Sequence, residues 1–409
     1  MGTFVTHLEA AIDGTRLPKD QLLTMHQDRP LWVRYDLEAV RQAASPEQWS
    51  RREATMWRYD ELLPVPRPQE RVSLGEGITP LLPCPRLGRE LGLEQLWVKD
   101  ESHLPTGSFK SRGQAMAISM ARHFGVQRVA IPTAGNAGGA MAAYAARAGM
   151  EAWVFMPEDT PQVNVAEAVL AGARVFLVRG VITDCGRLVR QGMEPMQWFD
   201  VSTLKEPYRL EGKKTMGLEL AEQFQWQLPD VILYPTGGGT GLIGMWKAFQ
   251  ELRALGFLRS QRMPRMVAVQ SAGCAPVVRA FERGERFAEP FPNPHTVASG
   301  IRVPAAVGDF MMLDVLRESQ GTAVAVPDEE ILLWTARATA AEGISFCPEA
   351  GACVAALKHL VDRGWIGREE QVVVFNTAGS QKYGHLVPLD QLPRLDPDQQ
   401  VDWDRLAEA

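Results

Sequence analysis

One segment of the chain reads Pro105-Thr106-Gly107-Ser108-Phe109-Lys110 and separates a short apolar strand, Leu96–Val98, from an amphipathic helix predicted over 111–124. Lys110 is therefore expected at the N-terminal end of a helix, where unpaired backbone N–H groups and the helix dipole disfavour an ammonium group. Such a position lowers the pKa of the amine, and a lysine that deprotonates readily can form a Schiff base. A lysine near a helix end is more often a solvated side chain, so the accompanying segments decide between the two interpretations.

A glycine-rich turn follows the predicted strand Arg128–Ile131 and reads Pro132-Thr133-Ala134-Gly135-Asn136-Ala137-Gly138-Gly139. A turn of this kind between a strand and a helix exposes backbone N–H groups to an anion such as a carboxylate. The side-chain amide of Asn136 can bond a phenolic oxygen. Asn136 is equally compatible with an ordinary helix cap.

A second glycine-rich turn reads Tyr234-Pro235-Thr236-Gly237-Gly238-Gly239-Thr240-Gly241. Three consecutive glycines let the backbone fold closely round a phosphate at the start of the next helix. The pattern from Gly239 to Gly244 also satisfies G-x-G-x-x-G, so a nicotinamide cofactor is an alternative. The following strand, Met266–Val269, ends in Gln270 and Ser271 and lacks the acidic residue that holds a ribose, which favours a monophosphate.

The last segment is a predicted buried strand that ends in hydroxyl side chains, Val372-Val373-Val374-Phe375-Asn376-Thr377-Ala378-Gly379-Ser380. Thr377 could cap the backbone that follows. It could equally bond a ring nitrogen, because doubly wound sheets place their ligands at the carboxyl ends of the strands.

Short β-branched runs alternate with helical stretches along most of the chain. This alternation predicts an α/β fold of βαβ units with mainly parallel sheets. The predicted strands are Arg128–Ile131, Ala152–Met156, Arg174–Val178, Val231–Tyr234, Met266–Val269 and Val372–Phe375. Residues 1–70 are polar and mixed, with helices predicted over 37–43 and 46–63, and a peripheral C-terminal arm is predicted over 386–409.

The composition restricts the class of protein. The chain has 409 residues, 45% of them hydrophobic, which suffices for two domains with a substantial core. A net charge of −6 argues against nucleic acid as a partner, and no apolar run predicts a membrane span or a secretory signal. Five scattered cysteines without a CxxC pair indicate free thiols and no metal site. We therefore expect a cytoplasmic protein.

Taken together and in this order, the four segments resemble the fold type II pyridoxal-phosphate enzymes, and most closely threonine synthase. The resemblance covers about residues 55–385. Further segments that carry it are Ser73–Leu81, Val98–Glu101, Arg209–Thr215 and Glu349–Ala352. It implies two open doubly wound sheets, as in tryptophan synthase β.

The resemblance also implies a role for each candidate residue. Lys110 would hold pyridoxal 5′-phosphate as a Schiff base and then move protons. The other implied cofactor contacts are Asn136 to the ring oxygen, Gly237, Gly238, Gly239 and Thr240 to the phosphate, and Thr377 to the pyridine nitrogen. The implied substrate contacts are Thr133, Gly135 and Ala137 to the carboxylate and Arg209 to the phosphate. Arg209 could instead form a surface ion pair with Glu206 or Glu211.

The chain departs from the usual threonine synthase pattern at several positions. The family commonly has Asn where Leu104 stands and Asp where Ser111 stands, and Thr203 and Leu204 replace an Asn-Ser pair. In the family, these positions contact the substrate phosphate or its surroundings. The predicted reaction is conversion of O-phospho-L-homoserine and water to L-threonine and phosphate. The alternatives are a serine or threonine dehydratase or another β-eliminating or β-replacing enzyme of this fold, and a non-catalytic protein that binds the cofactor.

The resemblance further implies a domain division. It places a large cofactor-binding domain at 71–110 and 206–385, and a small inserted domain at 111–205. It also implies a homodimer acting on a small amino-acid substrate.

Overall fold

The computed structural model describes residues 3–387, 389–392 and 394–395. Within them the strands are β1 Val5–Ala10, β2 Arg16–Leu17, β3 Leu31–Tyr35, β4 Leu81–Pro83, β5 Gln95–Asp100, β6 Arg128–Pro132, β7 Glu151–Pro157, β8 Arg174–Val178, β9 Phe199–Asp200, β10 Val231–Pro235, β11 Arg265–Ser271, β12 Thr322–Val326 and β13 Gln371–Asn376.

The α-helices of the same residues are α1 Leu37–Ala43, α2 Pro46–Ser50, α3 Pro85–Leu91, α4 Lys110–His123, α5 Asn136–Ala148, α6 Gln162–Leu170, α7 Ile182–Met196, α8 Tyr208–Gln223, α9 Thr240–Leu255, α10 Pro276–Glu282, α11 Asp309–Glu318, α12 Asp328–Glu342 and α13 Pro348–Asp362. Short 3₁₀ helices lie at Met56–Leu62, Pro68–Glu70, Glu101–His103, Pro105–Gly107, Ser299–Ile301, Ser380–Leu386 and Leu389–Gln391. Among the helices described, none combines the length and hydropathy that a membrane crossing requires.

The larger sheet has six strands in the order β12-β11-β10-β13-β5-β4. All neighbours are parallel except β4, which runs antiparallel to β5. Alternate residues of β10 face opposite cores: Val231 and Leu233 pack in one, Ile232 and Tyr234 in the other. Because both faces are covered, these strands have the unbroken apolar sequences that the sequence analysis relied on.

The smaller sheet has four parallel strands in the order β8-β7-β6-β9. Its core includes buried residues of α4, α5 and the N-terminal segment, among them Met116, Met141 and Val33. Two open, mainly parallel sheets flanked by helices confirm the predicted α/β fold class.

The N-terminal segment differs from the prediction. Residues 5–35 form a three-stranded antiparallel sheet, β2-β1-β3, which the sequence analysis did not predict. A register shift between Val5 and His7 interrupts the alternation of buried residues that would have indicated a strand. Helix α1 is where predicted, whereas 46–63 contains only the short α2 and a 3₁₀ helix. Most of the predicted C-terminal arm, 386–409, lies outside the described residues.

A network of buried ion pairs holds helix α4 in place close to its N-terminal end. Arg112 donates to both oxygens of Glu101 and of Glu219, and Lys99 lies 3.0 Å from Glu219. The side chains of all four residues are fully buried. Burial opposes ionisation of Glu219, but the charges of Arg112 and Lys99 prevail and lower its pKa. The network therefore joins β5, α4 and α8 next to Lys110.

Candidate active site

A cleft lies at the carboxyl ends of strands from both sheets. Its lining includes the turn that follows β6, the turn that follows β10, Thr377 after β13, and Lys110. Ligands of open α/β sheets bind at this edge. The structure thus brings together every predicted site residue except Arg209, namely Lys110, Thr133, Gly135, Asn136, Ala137, Gly237, Gly238, Gly239, Thr240 and Thr377.

Lys110 is the first residue of α4, as the sequence predicted to within one residue. Two left-handed residues precede it, Thr106 with φ 63° and Gly107 with φ 60°. A non-glycine residue in this region stores strain of roughly 1–3 kcal/mol and needs surrounding contacts to hold it. The backbone N–H of Phe109 donates to the Thr377 carbonyl at 3.0 Å, which attaches the lysine segment to the end of β13.

The environment of Lys110 lowers the pKa of its amine to about 8. Burial is the largest cause, the positive charge of Arg209 adds to it, and the carboxylate of Glu349 opposes it. The sequence predicted that the pKa of Lys110 is lowered, and this direction is confirmed. The sequence attributed the shift to the end of the helix, whereas the structure shows burial and the charge of Arg209 as its causes. An amine of this kind is partly neutral at physiological pH and can attack a carbonyl group.

The turn after β10 places backbone at the start of α9. Gly239 has φ +80°, and a Cβ there would lie 2.3 Å from the Met312 sulfur. A Cβ on Gly238 would lie 2.6 Å from the Thr203 methyl carbon, and one on Gly237 would lie 2.9 Å from the Gly300 oxygen. These three positions accept only glycine without displacement of neighbouring atoms. The N-terminus of a sixteen-residue helix with free N–H groups is suited to a phosphate.

The turn after β6 is organised by its own side chains. The Thr133 hydroxyl donates to the Gly135 carbonyl and accepts from the Gly135 N–H, both at 3.1 Å. Asn136 starts α5, and its Oδ1 atom is buried without a hydrogen-bond partner among the described residues. Asn136 therefore does not act as a helix cap through that oxygen.

Thr377 lies directly after β13 and is 4% exposed. Its hydroxyl lies 3.8 Å from the Cys347 sulfur, a weak contact that leaves the hydroxyl free for a stronger partner. Among the described residues, that thiol is the one ionisable group that hydrogen-bonds to this hydroxyl.

Arg209 does not line the cleft. Its side chain is buried at 1% exposure, and one guanidinium nitrogen donates to the Val201 carbonyl at 2.7 Å. Burial lowers the pKa of Arg209, and the carboxylates of Glu206 and Asp200 oppose the shift. The alternative of a surface ion pair is excluded by this burial, and the buried Nε atom has no hydrogen-bond partner among the described residues.

The structure adds residues to the cleft that the sequence analysis did not assign. Glu349 accepts from the Gly300 N–H at 2.7 Å and from the Tyr383 hydroxyl at 2.8 Å, while its Oε2 atom has no partner among the described residues. The segment Glu349–Ala352 was recognised only as part of the resemblance. Nothing in the local sequence around Tyr383 indicated that it folds back against Glu349.

Comparison with known proteins decides the family. Residues 72–378 match the family described as pyridoxal-phosphate dependent enzyme. The chain belongs to this family. Its cofactor is therefore pyridoxal 5′-phosphate, and the nicotinamide interpretation of Gly239 to Gly244 is wrong.

Relatives within the pyridoxal-phosphate enzymes are similar over most of their length. The threonine synthase of Methanocaldococcus jannaschii is 36% identical over 353 residues, which cover 86% of this chain and 86% of the relative. That of Methanosarcina acetivorans is 37% identical over 384 residues, covering 93% and 92%. Maize serine racemase superposes with a TM-score of 0.64 at 20% identity, covering 81% of this chain and 92% of the racemase, and shows the shared fold. The protein is a threonine synthase-like enzyme.

The residues of the cleft fit the cofactor of this family. Lys110 supplies an amine with a lowered pKa, and the three glycines supply a close backbone approach at a helix N-terminus. Asn136 lines the cleft, and its amide nitrogen is the atom that can donate to the ring oxygen. The donors and their order in space agree with a pyridoxal-phosphate site.

Lys213 lies next to Lys110 and was also missed. Its Nζ atom is 4.1 Å from the centre of the Phe109 ring, and that of Lys110 is 4.3 Å from the same centre. Lys213 is fully buried and donates to the Phe109 carbonyl. Burial, followed by the charges of Lys110 and Arg209, lowers the pKa of Lys213 far below its usual range. Through its bond to the Phe109 carbonyl, Lys213 positions the residue preceding Lys110.

Replacement of Lys213 by methionine tests whether the hydrogen bond from Lys213 to the Phe109 carbonyl is needed for the reaction. Lys213→Met keeps the length of the side chain but removes the donor to Phe109, and we expect kcat to fall by about tenfold, the value of one hydrogen bond. Lys213→Gln keeps an amide donor and should restore most of the rate. Steady-state kinetics of both variants test this. Equal rates for the methionine variant and the unmodified enzyme would contradict the positioning role.

The lowered pKa of Lys110 predicts how the cofactor-free protein takes up pyridoxal phosphate. Only the neutral amine attacks the aldehyde, and with a pKa of about 8 the neutral fraction rises with pH up to that value and then levels off. The uptake rate should therefore increase about tenfold per pH unit below the pKa. Stopped-flow absorbance measures it. A rate that keeps rising to the ordinary lysine value of 10.5 would contradict the assignment.

Proposed function

We propose that the enzyme converts O-phospho-L-homoserine and water to L-threonine and inorganic phosphate. The observation that carries the proposal is the similarity to threonine synthases over 86–93% of the chain. The cofactor, when bound, would withdraw electrons from the α-carbon of the substrate, so that a proton can leave there, a second proton can leave from Cβ as phosphate leaves from Cγ, and water can then add at Cβ.

Individual residues of the chain transfer the protons and bind the cofactor. The amine of Lys110 removes the α-proton and later returns a proton, which its pKa of about 8 permits near neutral pH. Backbone from Gly237 to Thr240 holds the cofactor phosphate, and Asn136 bonds the ring oxygen. Thr377 offers the ring nitrogen a neutral hydroxyl, which withdraws electrons less strongly than a charged partner and favours elimination and replacement chemistry.

The substrate carboxylate is held by the turn after β6 in this proposal. Thr133, Gly135 and Ala137 line the cleft at the start of α5, where the N-terminal end of the helix favours an anion. Arg209 is proposed to act on the substrate phosphate, as the family resemblance implies. Its bond to Val201 uses one guanidinium nitrogen, and the buried Nε atom, which has no partner among the described residues, is left as a donor for that phosphate.

The proposed domain division is 71–110 with 206–385, and 111–205 as the inserted domain. It is supported by the two sheets, because the four-stranded sheet uses only strands between 128 and 200. Two ion pairs connect the two parts near the cleft, Arg302 with Asp159 at 3.2 Å and Lys382 with Glu167. Closure through such contacts would exclude water until the substrate is bound.

We further propose that the protein forms a homodimer and is located in the cytoplasm. Five exposed large apolar side chains fall within 169–181, which supports an interface there: Val169, Leu170, Phe176, Leu177 and Val181. All five cysteines are free and buried, as in proteins of a reducing compartment. Light scattering of the purified protein distinguishes a dimer from a monomer.

A dehydratase acting on L-serine or L-threonine is the second candidate. Two observations favour it: Thr203 and Leu204 stand where the family has Asn-Ser, and Arg209 is outside the cleft. Both weaken recognition of a phosphate at the position usual in the family.

Product analysis separates the two candidates. The cofactor-loaded enzyme is incubated with O-phospho-L-homoserine and, in parallel, with L-threonine and L-serine. Phosphate and threonine formed in equal amounts from the first substrate support the proposal. A 2-oxo acid and ammonia from the hydroxy amino acids, with phosphohomoserine unchanged, would replace it by the dehydratase.

A further inference from the structure

Glu349 is a buried carboxylate that lines the cofactor cleft together with Lys110. It is the second residue of α13, and only 3% of its surface is exposed. Removal of an ionised carboxylate from water is costly unless hydrogen bonds and a positive charge compensate for it. The groups around Glu349 therefore indicate which positive charge it balances.

The protein provides hydrogen bonds to one of the two oxygens of Glu349. The backbone N–H of Gly300 donates to Oε1 at 2.7 Å, and the Tyr383 hydroxyl donates to the same atom at 2.8 Å. A Cβ on Gly300 would lie 2.7 Å from Oε1, so this approach requires a glycine. Oε2 has no hydrogen-bond partner among the described residues. The carboxylate is thus held through one oxygen, and the other is left for a further partner.

The titratable groups beside Glu349 do not neutralise its charge. Burial raises the pKa of the Tyr383 hydroxyl, and the charge of Glu349 raises it further. The same two causes raise the pKa of the Cys347 thiol, and the pKa of Cys353 on α13 is raised as well. A hydroxyl or thiol with a raised pKa is neutral at physiological pH. The negative charge of Glu349 therefore needs a cation elsewhere in the cleft.

The lining of the cleft contains two cationic side chains, Arg302 and Lys110. Arg302 is already paired with an aspartate of the inserted segment at 3.2 Å. Burial and the charge of Arg209 lower the pKa of the Lys110 amine, and the charge of Glu349 opposes them. Lys213 lies beside the same amine and, like Arg209, approaches from α8. Glu349 is thus the negative charge that acts on the Lys110 nitrogen, against positive charges on α8.

We propose that Glu349 is the counter-charge of the nitrogen that joins Lys110 to the cofactor, and that it keeps this nitrogen protonated. An opposite charge nearby favours the charged form of a titratable group. A protonated carbon–nitrogen double bond is a stronger electrophile than a neutral one, so it accepts the amine of an incoming substrate more readily. The free Oε2 atom gives the carboxylate an oxygen for this role while Oε1 stays bound to Gly300 and Tyr383.

A pH titration of the visible spectrum of the cofactor-loaded enzyme tests the proposal without substrate. The protonated bond absorbs at longer wavelength than the neutral bond, so the spectrum reports the protonation directly. Glu349→Gln keeps a carbonyl oxygen for Gly300 and Tyr383 but removes the charge. We expect the midpoint of the titration to fall by at least about one pH unit, as for loss of a unit charge in a buried site.

Three further variants separate charge from structure. Glu349→Asp keeps the charge and should restore most of the midpoint. Tyr383→Phe removes a hydrogen bond to the carboxylate but no charge, so it should shift the midpoint far less than Glu349→Gln. Asp362→Asn is the matched control, because it removes a carboxylate from the other end of α13, where the side chain is 56% exposed and lies outside the cleft lining. An unchanged midpoint in Glu349→Gln, or an equal shift in Tyr383→Phe, would overturn the inference.

Uptake of pyridoxal phosphate by the cofactor-free protein provides a second readout. The uptake rate of the unmodified protein should level off near the Lys110 pKa of about 8. Without the charge of Glu349 this pKa falls further, so the rate in Glu349→Gln should level off at a lower pH. The same or a higher pH would contradict the role of Glu349. Neither readout involves O-phospho-L-homoserine, so the inference and the proposed function can fail independently.

Discussion

Replacement of Lys110 by alanine should lower turnover by at least about a thousandfold, because it removes the group that transfers protons in the reaction. It should also remove the visible absorbance band that the cofactor gives when joined to a lysine. The side chain lines the cleft, and no other predicted site residue carries an amine. Absorbance spectra and steady-state rates of the purified variant measure both effects.

Controls for this variant address folding and charge. The Lys110 amine makes no ion pair among the described residues and is held in an environment that disfavours its charge, so its removal should not lower the free energy of unfolding. Lys110→Arg keeps a positive charge but cannot form the imine, and it should be as inactive as the alanine variant. Residual activity near that of the unmodified enzyme in either variant would contradict the assigned role.

Gly239→Ala should weaken cofactor binding by about a hundredfold. The left-handed backbone at φ +80° costs a non-glycine residue roughly 1–2 kcal/mol. The added Cβ would lie 2.3 Å from the sulfur of the fully buried Met312, so this side chain and the turn must rearrange together, which disturbs the N–H groups that face the phosphate. Titration of the cofactor-free variant with pyridoxal phosphate measures the change.

The same helix offers a matched control. Gly256 follows the other end of α9 with φ +72°, and a Cβ there meets no atom within 4 Å. Gly256→Ala should therefore cost roughly 1 kcal/mol of stability and leave cofactor affinity unchanged. If both alanine variants lose affinity equally, the loss comes from destabilised α9 and the proposed phosphate turn is not supported.

The fold could be predicted wherever short-range pattern and burial agree. Strands β10 and β13 are buried on both faces, so their unbroken apolar sequences marked them. Strand β1 was missed because a register shift interrupts its alternation, and β9 because two residues are too short for a pattern. Strand β12 has the small residues Ala323 and Ala325 between its valines, which gives a weak β signal.

The site could be predicted to the extent that each residue belongs to a local motif. Lys110 and the two glycine turns each depend on a strand followed directly by a helix, which the sequence shows. Glu349 and Tyr383 reach the cleft, and Lys213 reaches the Phe109 carbonyl, only through tertiary packing of segments distant in sequence. The burial of the Arg209 side chain could not be predicted, because a charged residue in a polar segment is ordinarily expected at the surface.

The most direct test of the central claim is to identify the amine that holds the cofactor. The loaded enzyme is reduced with borohydride, digested, and searched by mass spectrometry for the lysine that carries the cofactor. The test is discriminating because Lys213 lies over the same Phe109 ring as Lys110. We predict the label on Lys110 alone. A label on Lys213 or on a surface lysine, with Lys110 unmodified, would contradict the assignment of this cleft.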